Sequence, residues 1–339
     1  MAKRPELGFQ DDTALQGPQQ NALIAAMKAA GTKDARINVM YGRVKAEGYG
    51  KIDQEVNALR AAGIAPQITI MGTPDYAPQW DQSLSAKNTN ARLAGQFAAE
   101  VAGHFKGRVG KYAAWNEPNW SGFISGADSD PKQAARRYRD LYRSMYSGIK
   151  GADKGAQVLL GEVTSSPNAK KFMRYLMAGK PLKTAGFAYH PYDQPGKPKT
   201  TWDIDTLKDL QATLERYKRQ GKLQTAQGKA APLYLTEFGY QAAEVPTAKR
   251  AAKVARAYNL AKEAGAREFV SYQMAPTVRQ MVPSAPVPVD AYGGMAPGAA
   301  TPKPGWVWDT NLHPELLGRA IYAASRAQPR ARVARVKRK

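Results

Sequence analysis

The chain has no cysteine. That excludes disulfides, thiol nucleophiles and thiolate metal sites. Histidine is scarce, three in 339 residues, and no His/Asp/Glu grouping along the chain has the spacing of a metal site. No apolar run approaches the roughly 20 residues that a bilayer-spanning helix needs. The opening "MAKRPELGF" lacks the apolar segment of a signal peptide. Such a start suits a cytoplasmic chain or a secreted one whose leader has been removed, and the second is the expected location. No G-x-G-x-x-G follows the first strand-like run, which argues against a dinucleotide-binding sheet. No nucleophile elbow supports a serine-histidine triad.

Acidic residues are in deficit, 28 against 50 basic ones, for a formal charge of +22. The segment 326–339 carries seven basic residues and no acidic one, and the remainder is still strongly basic. This balance favours contact with polyanions such as cell-wall polymers, acidic polysaccharides or nucleic acid, and it also suits a merely solvated surface. No nucleic-acid recognition motif accompanies it.

What is present is a regular alternation. Strand-like apolar runs end near Phe9, Val39, Ile70, Trp115, Leu160, Tyr189, Leu235 and Tyr272. Amphipathic helical stretches separate them, among them "IDQEVNALRAAG", "AARRYRDLYRSMYSGIKGA" and "TAKRAAKVARAYNLAKEAG", several closed by the glycine expected after a helix end. An eighth helix fits "PELLGRAIYAASRA". Eight strand–helix units predict an α/β fold, a single-domain (β/α)8 TIM barrel over residues 1–325. A Pro/Gly-rich loop at 276–312 follows the eighth strand and is too long to be an ordinary connection. The basic segment 326–339 is expected to be a disordered tail.

In such a barrel, catalytic groups stand at the C-terminal ends of strands. "YAAWNEPNW" puts Glu117 at the end of the fourth strand, and "APLYLTEFGY" puts Glu237 at the end of the seventh. Those strands lie nearly opposite each other in a ring of eight, so the two carboxylates can meet in one cleft. Two carboxylates in different environments are what glycosidic bond cleavage needs, one to protonate the leaving oxygen and one to attack the anomeric carbon.

"WNEPN" and "TEFGY" resemble the acid/base and nucleophile motifs of glycoside hydrolase clan A, the retaining (β/α)8 glycosidases that include cellulase-like and xylosidase/iduronidase-like families. The resemblance runs from about Glu6 to Arg326. It implies Glu117 as acid/base, Glu237 as nucleophile and no cofactor or metal. It also implies Arg36 in "ARINVMYGRV" as support for the nucleophile, and His190 and Tyr192 in "YHPYD" beside the substrate. Asn116 would hold the sugar 2-hydroxyl. Tyr76 in "GTPDYAPQW" stands where the clan has a tryptophan, and Trp120 is a further stacking candidate. At the eighth strand "FVSYQMAPT" departs from the clan's tryptophan platform and offers Gln273, so Trp306 or Trp308 from the long loop would have to supply it. Read on its own, Arg36 is either a surface cation or an inward one, and an inward arginine needs a carboxylate partner, for which Glu237 is the natural choice.

The expected function is therefore a retaining glycoside hydrolase cleaving β-glycosidic bonds of an oligo- or polysaccharide, with a possible acidic cell-wall or polysaccharide partner on the basic surface. The alternative is a non-catalytic carbohydrate- or cell-wall-binding barrel.

Overall fold

The structure, a computed structural model, describes residues 4–10, 15–16, 20–73, 90–193, 201–240 and 247–272. Eight parallel strands form a closed barrel: β1 Glu6–Gln10, β2 Asp34–Met40, β3 Ala65–Met71, β4 Lys111–Ala114, β5 Gln157–Thr164, β6 Gly186–His190, β7 Leu233–Phe238 and β8 Glu268–Tyr272. Each strand pairs with its sequence neighbours, and β8 closes the ring on β1 with Glu6 opposite Glu268 and Gln10 opposite Tyr272. This is the (β/α)8 architecture that the alternation predicts. The expected loop at 276–312, the eighth helical stretch and the basic tail lie outside the described residues.

The helices are α1 Gln20–Ala29, α2 Tyr41–Glu47, α3 Gly50–Ala61, α4 Ala91–His104, α5 Pro131–Ala152, α6 Ala169–Leu176, α7 Leu207–Arg219 and α8 Thr247–Glu263. Their starts follow local chemistry. The Asn90 side chain accepts from Arg92 N (2.9 Å) at the head of α4. The Asp130 side chain accepts from Gln133 N (3.0 Å) at the head of α5, with Pro131 in the first turn. α5 buries Ala134, Tyr138, Leu141, Tyr142, Met145 and Ile149, a spacing of three and four that puts one apolar stripe against the barrel. α4 and α5 come into backbone contact through glycines: a Cβ on Gly148 would fall 2.1 Å from Gly95 O. A short two-stranded ribbon, Leu182–Lys183 against Leu223–Gln224, braces the connections into β6 and β7.

Inside the barrel the side chains form tiers. At the strand starts Lys111 Nζ meets Asp34 Oδ1 (3.0 Å) and Glu268 Oε2 (2.6 Å), and Gln67 Nε2 donates to Glu268 Oε1 (2.6 Å). Ala113, Leu159 and Ala188, with Tyr234 against them, make a small apolar tier. Toward the strand ends the interior turns polar again around Arg36, which is 0% exposed.

Candidate active site

Alternation along β5 predicts which residues face the barrel interior. Leu159 packs inside with Ala113 and Ala188, whereas Val158 and Leu160 join the layer between strands and helices. By that parity Glu162 should face the helices. Instead β5 bulges: Gly161 pairs with Ala188 but Val163 pairs with Tyr189, so Glu162 is the extra residue and is turned inward. Gly161 has φ +120°, and a Cβ there would lie 2.4 Å from Ala188 O, so the turn needs glycine. Glu162 itself has φ 49°.

The seventh strand repeats the device. Leu233 and Leu235 face the helices, and so does Phe238, out of phase with them. The β8 partners step from Phe269 opposite Leu235 to Ser271 opposite Phe238, leaving one surplus residue on β7. That irregularity aims Glu237 at the barrel axis, where it meets Arg36.

Glu117 reaches the same place by a turn. β4 ends at Ala114, and the chain then passes through left-handed backbone at Trp115 (φ 72°) and Glu117 (φ 36°). Such conformations cost a non-glycine residue about 1–3 kcal/mol each, and Pro118 further restricts the residue before it. Surrounding contacts hold the turn. Trp115 is buried and its Nε1 donates to Phe123 O (3.2 Å). Glu117 N donates to Glu162 O (2.9 Å), and Asn119 Nδ2 donates to Thr164 O (2.8 Å). From α5, the Tyr138 hydroxyl bonds Ala114 O and Gly161 O (both 3.1 Å) and accepts from Gly161 N (2.9 Å), tying the β4 end to the β5 bulge.

The result is a compact cluster. Arg36 Nη1 donates to Glu237 Oε2 (3.0 Å) and its Nη2 to Asn116 Oδ1 (2.7 Å) and Glu162 Oε2 (2.5 Å). Its Nε reaches Thr69 Oγ1 (3.0 Å) and Glu162 Oε1 (3.1 Å), and Gln10 Oε1 accepts from Nη1. The Tyr192 hydroxyl donates to Glu237 Oε1 (2.6 Å). His190 Nδ1 lies 2.9 Å from Glu117 Oε1 and 4.0 Å from Glu237 Oε2. One ligand atom from each of Glu117, His190 and Glu237 lies within 4.8 Å of the others. These three residues could approach one cation, a grouping that sequence spacing alone does not reveal. In the structure their oxygens already face protons and positive charge from Arg36, Tyr192 and His190.

Of its two alternatives Arg36 takes the inward one, and it pairs with Glu237. Burial nevertheless pushes the Glu237 carboxyl above its ordinary pKa, with His190 and Arg36 pulling it back and the Glu117 charge adding to the rise. Burial works against the charged form of His190, and the Glu237 and Glu117 carboxylates outweigh it, raising its pKa. Burial also pushes the Tyr192 hydroxyl well up, so it stays a donor.

Six of the expected residues thus come together: Glu117, Glu237, Arg36, Asn116, His190 and Tyr192. Trp120 is 41% exposed on the loop after β4, edge-on to Phe123. Tyr76, Gln273, Trp306 and Trp308 lie outside the described residues. Sequence reasoning missed Glu162, Gln10 and Thr69. A lone carboxylate in the apolar run "VLLGEVT", next to glycine, was the available signal for Glu162.

No protein-family model matches the sequence, and no curated protein sequence matches it. Solved structures do resemble the fold. A family 39 glycoside hydrolase from the gut symbiont Bacteroides cellulosilyticus WH2 superposes with a TM-score of 0.58 at 18% identity, over 81% of this chain and 58% of that one. A family 1 β-glucosidase from Thermotoga maritima superposes at 0.53 with 14% identity, over 76% of this chain and 77% of that one. The chain shares their (β/α)8 barrel fold. It spans less than two thirds of the family 39 protein, and at these identities the likeness is one of architecture. The barrel places Glu117 and Glu237 at the C-terminal ends of β4 and β7, the side on which barrel enzymes carry their chemistry.

Proposed function

We propose that the chain is a retaining glycoside hydrolase that cleaves β-glycosidic bonds by double displacement. The observation that carries this reading is the approach of Glu117 and Glu237, with an oxygen of each within 4.8 Å. Carboxyl groups of retaining enzymes lie about 5–5.5 Å apart, and those of inverting enzymes about 6.5–9.5 Å apart to admit a water. The likeness to barrel glycosidases supports the same reading.

In the first step a Glu237 oxygen attacks the anomeric carbon, the glycosidic C–O bond breaks, and the leaving oxygen takes a proton from Glu117. In the second, Glu117 takes a proton from water, the water oxygen attacks the anomeric carbon, and the bond to Glu237 breaks. Both Glu237 oxygens already accept hydrogen bonds, from Tyr192 and Arg36, an arrangement suited to holding the ionised carboxylate. Asn116 Oδ1 is taken by Arg36, which leaves its amide nitrogen to donate to a sugar hydroxyl.

The proton for the first step follows from charge balance. Three carboxylates, Glu117, Glu162 and Glu237, surround two cations, Arg36 and His190. A net charge in a buried cluster is costly, so the site favours retaining one proton. With both oxygens of Glu237 engaged by donors and Glu117 Oε1 facing the Nδ1–H of the charged His190, that proton is assigned to the other oxygen of Glu117, from which the leaving group would take it.

The substrate on this reading is a β-linked oligo- or polysaccharide, and no cofactor takes part. The decisive experiment incubates the protein with aryl β-glycosides and follows the product anomer by NMR. Release of the β-anomer first supports the reading. Release of the α-anomer, or no turnover of any aryl β-glycoside or β-glycan, overturns it.

A further inference from the structure

The fold sorts charge between the two ends of the barrel. Seven connectors lead from a helix into a strand, and together they carry nine Lys and Arg against one acidic residue, Asp153. Lys33 precedes β2, Lys106 and Arg108 precede β4, and Lys154 precedes β5. Lys180 and Lys183 lead into β6, Lys222 and Lys229 into β7, and Arg267 into β8. Backbone bonds join these connectors around one rim: Ala65 N to Lys33 O, Gln157 N to Gly110 O, Leu182 N to Lys222 O and Glu6 N to Arg267 O (2.8–3.0 Å). Apart from Arg108, which pairs with Asp53 (2.6 Å), none of the nine makes an ion pair among the described residues.

The opposite end is the reverse. The described residues of the strand-to-helix connectors hold six acidic side chains, Glu117, Asp128, Asp130, Asp193, Asp203 and Asp205, and no Lys or Arg. Among the described connectors, a polyanion therefore meets positive charge at the base and negative charge at the mouth.

We propose that the N-terminal base of the barrel is a docking face for a linear acidic polysaccharide, separate from the glycan in the cleft. The chemistry of the rim selects this occupant over nucleic acid. Seven of its nine cations are lysines, hydrated point charges on flexible stems that can follow spaced carboxylates or sulfates, and no nucleic-acid recognition motif accompanies them. A groove of about 610 Å³ bordered by Asn57, Arg60, Pro66, Arg108 and Gly110 offers a seat for a sugar unit on the same rim. The inference does not depend on catalysis at the mouth.

The test uses the full chain and fluorescein-labelled heparin fragments, with affinity read by anisotropy across a salt series. One variant carries Lys33→Glu, Lys106→Glu, Lys180→Glu and Lys183→Glu on the base. A second, of equal net charge, carries Lys132→Glu, Arg136→Glu, Arg143→Glu and Lys171→Glu on the exposed flank of α5 and α6. The base variant should lose at least about tenfold in affinity near 0.1 M salt, and its slope of log affinity against log salt should fall by about 3, because each lost contact releases fewer counterions. The flank variant should stay within about threefold of the parent. Equal loss in both variants would reduce the effect to net charge, and no loss in either would leave the base without a role; each overturns the proposal. Competition distinguishes the polymers: polygalacturonate should displace the probe at lower concentration than duplex DNA of equal charge, and the opposite order overturns the polysaccharide assignment. If the base variant fails to melt cooperatively, the four Lys→Gln changes at the same positions give the same readout.

Discussion

Replacing Glu162 by Gln removes one negative charge from the cluster and little volume. The remaining carboxylates, Glu117 and Glu237, then balance Arg36 and His190 without an added proton. A neighbouring unit charge within such a cluster, at an effective dielectric near 20, is worth about 2–3 kcal/mol, or about 1.5–2 pH units of proton affinity. Glu162 is among the carboxylates that raise His190, so its reach into the proton-holding pair is built into the geometry. Removing a negative neighbour favours deprotonation, so the proton needed for the first step leaves at lower pH. The alkaline limb of kcat/KM for an aryl β-glycoside should move down by about 1.5–2 units, with the acid limb less affected. Stability should fall as well, by about 2–3 kcal/mol in urea unfolding, less than the usual 3–5 for breaking a buried pair because Arg36 keeps Glu237. The pH profile separates the electrostatic role from a structural one, since a merely loosened site lowers the rate at every pH. An alkaline limb that stays in place or moves up would refute the charge-balance argument.

Glu237→Ala should abolish turnover of aryl glycosides and regain part of it with azide, yielding an α-glycosyl azide detectable by NMR; without that product Glu237 is not the nucleophile. Glu117→Ala should spare substrates with acidic leaving groups such as dinitrophenol while losing about 100-fold or more on poor ones, and equal loss on both would contradict its role as acid. Tyr192→Phe removes the 2.6 Å bond to Glu237 and should lower kcat about 10–100-fold and the melting temperature by a few degrees, since a hydrogen bond to a charged group is worth about 1.5–3 kcal/mol; an unchanged kcat would show that Tyr192 does not support the nucleophile. Glu268, raised by burial, binds its proton more tightly folded than unfolded, so stability falls as pH rises through the carboxylate range toward neutrality. Glu268→Gln should flatten that decline in a Tm–pH series, and an unchanged slope would assign it to other groups.

The sequence by itself determined the architecture and the two anchor carboxylates. Strand and helix periods are local properties of the chain, and the eight-fold repeat that they form has one common closed solution. Glu117 and Glu237 stood in short motifs next to strand ends, so their location could be read without knowing what faced them. Arg36 was legible only as a choice between surface and interior, because the answer depends on which carboxylates the closed barrel brings to it. Glu162 was not legible. Strict alternation turns it toward the helices, and only the bulge at Gly161, held from α5 by Tyr138, turns it inward. Glu237 depends on a similar slip of register on β7. The segregation of charge was equally hidden, since Lys33, Lys106, Lys154, Lys183 and Arg267 are far apart along the chain. They share one rim because every strand of a parallel barrel points the same way, which gathers all helix-to-strand turns at one end and all strand-to-helix turns at the other.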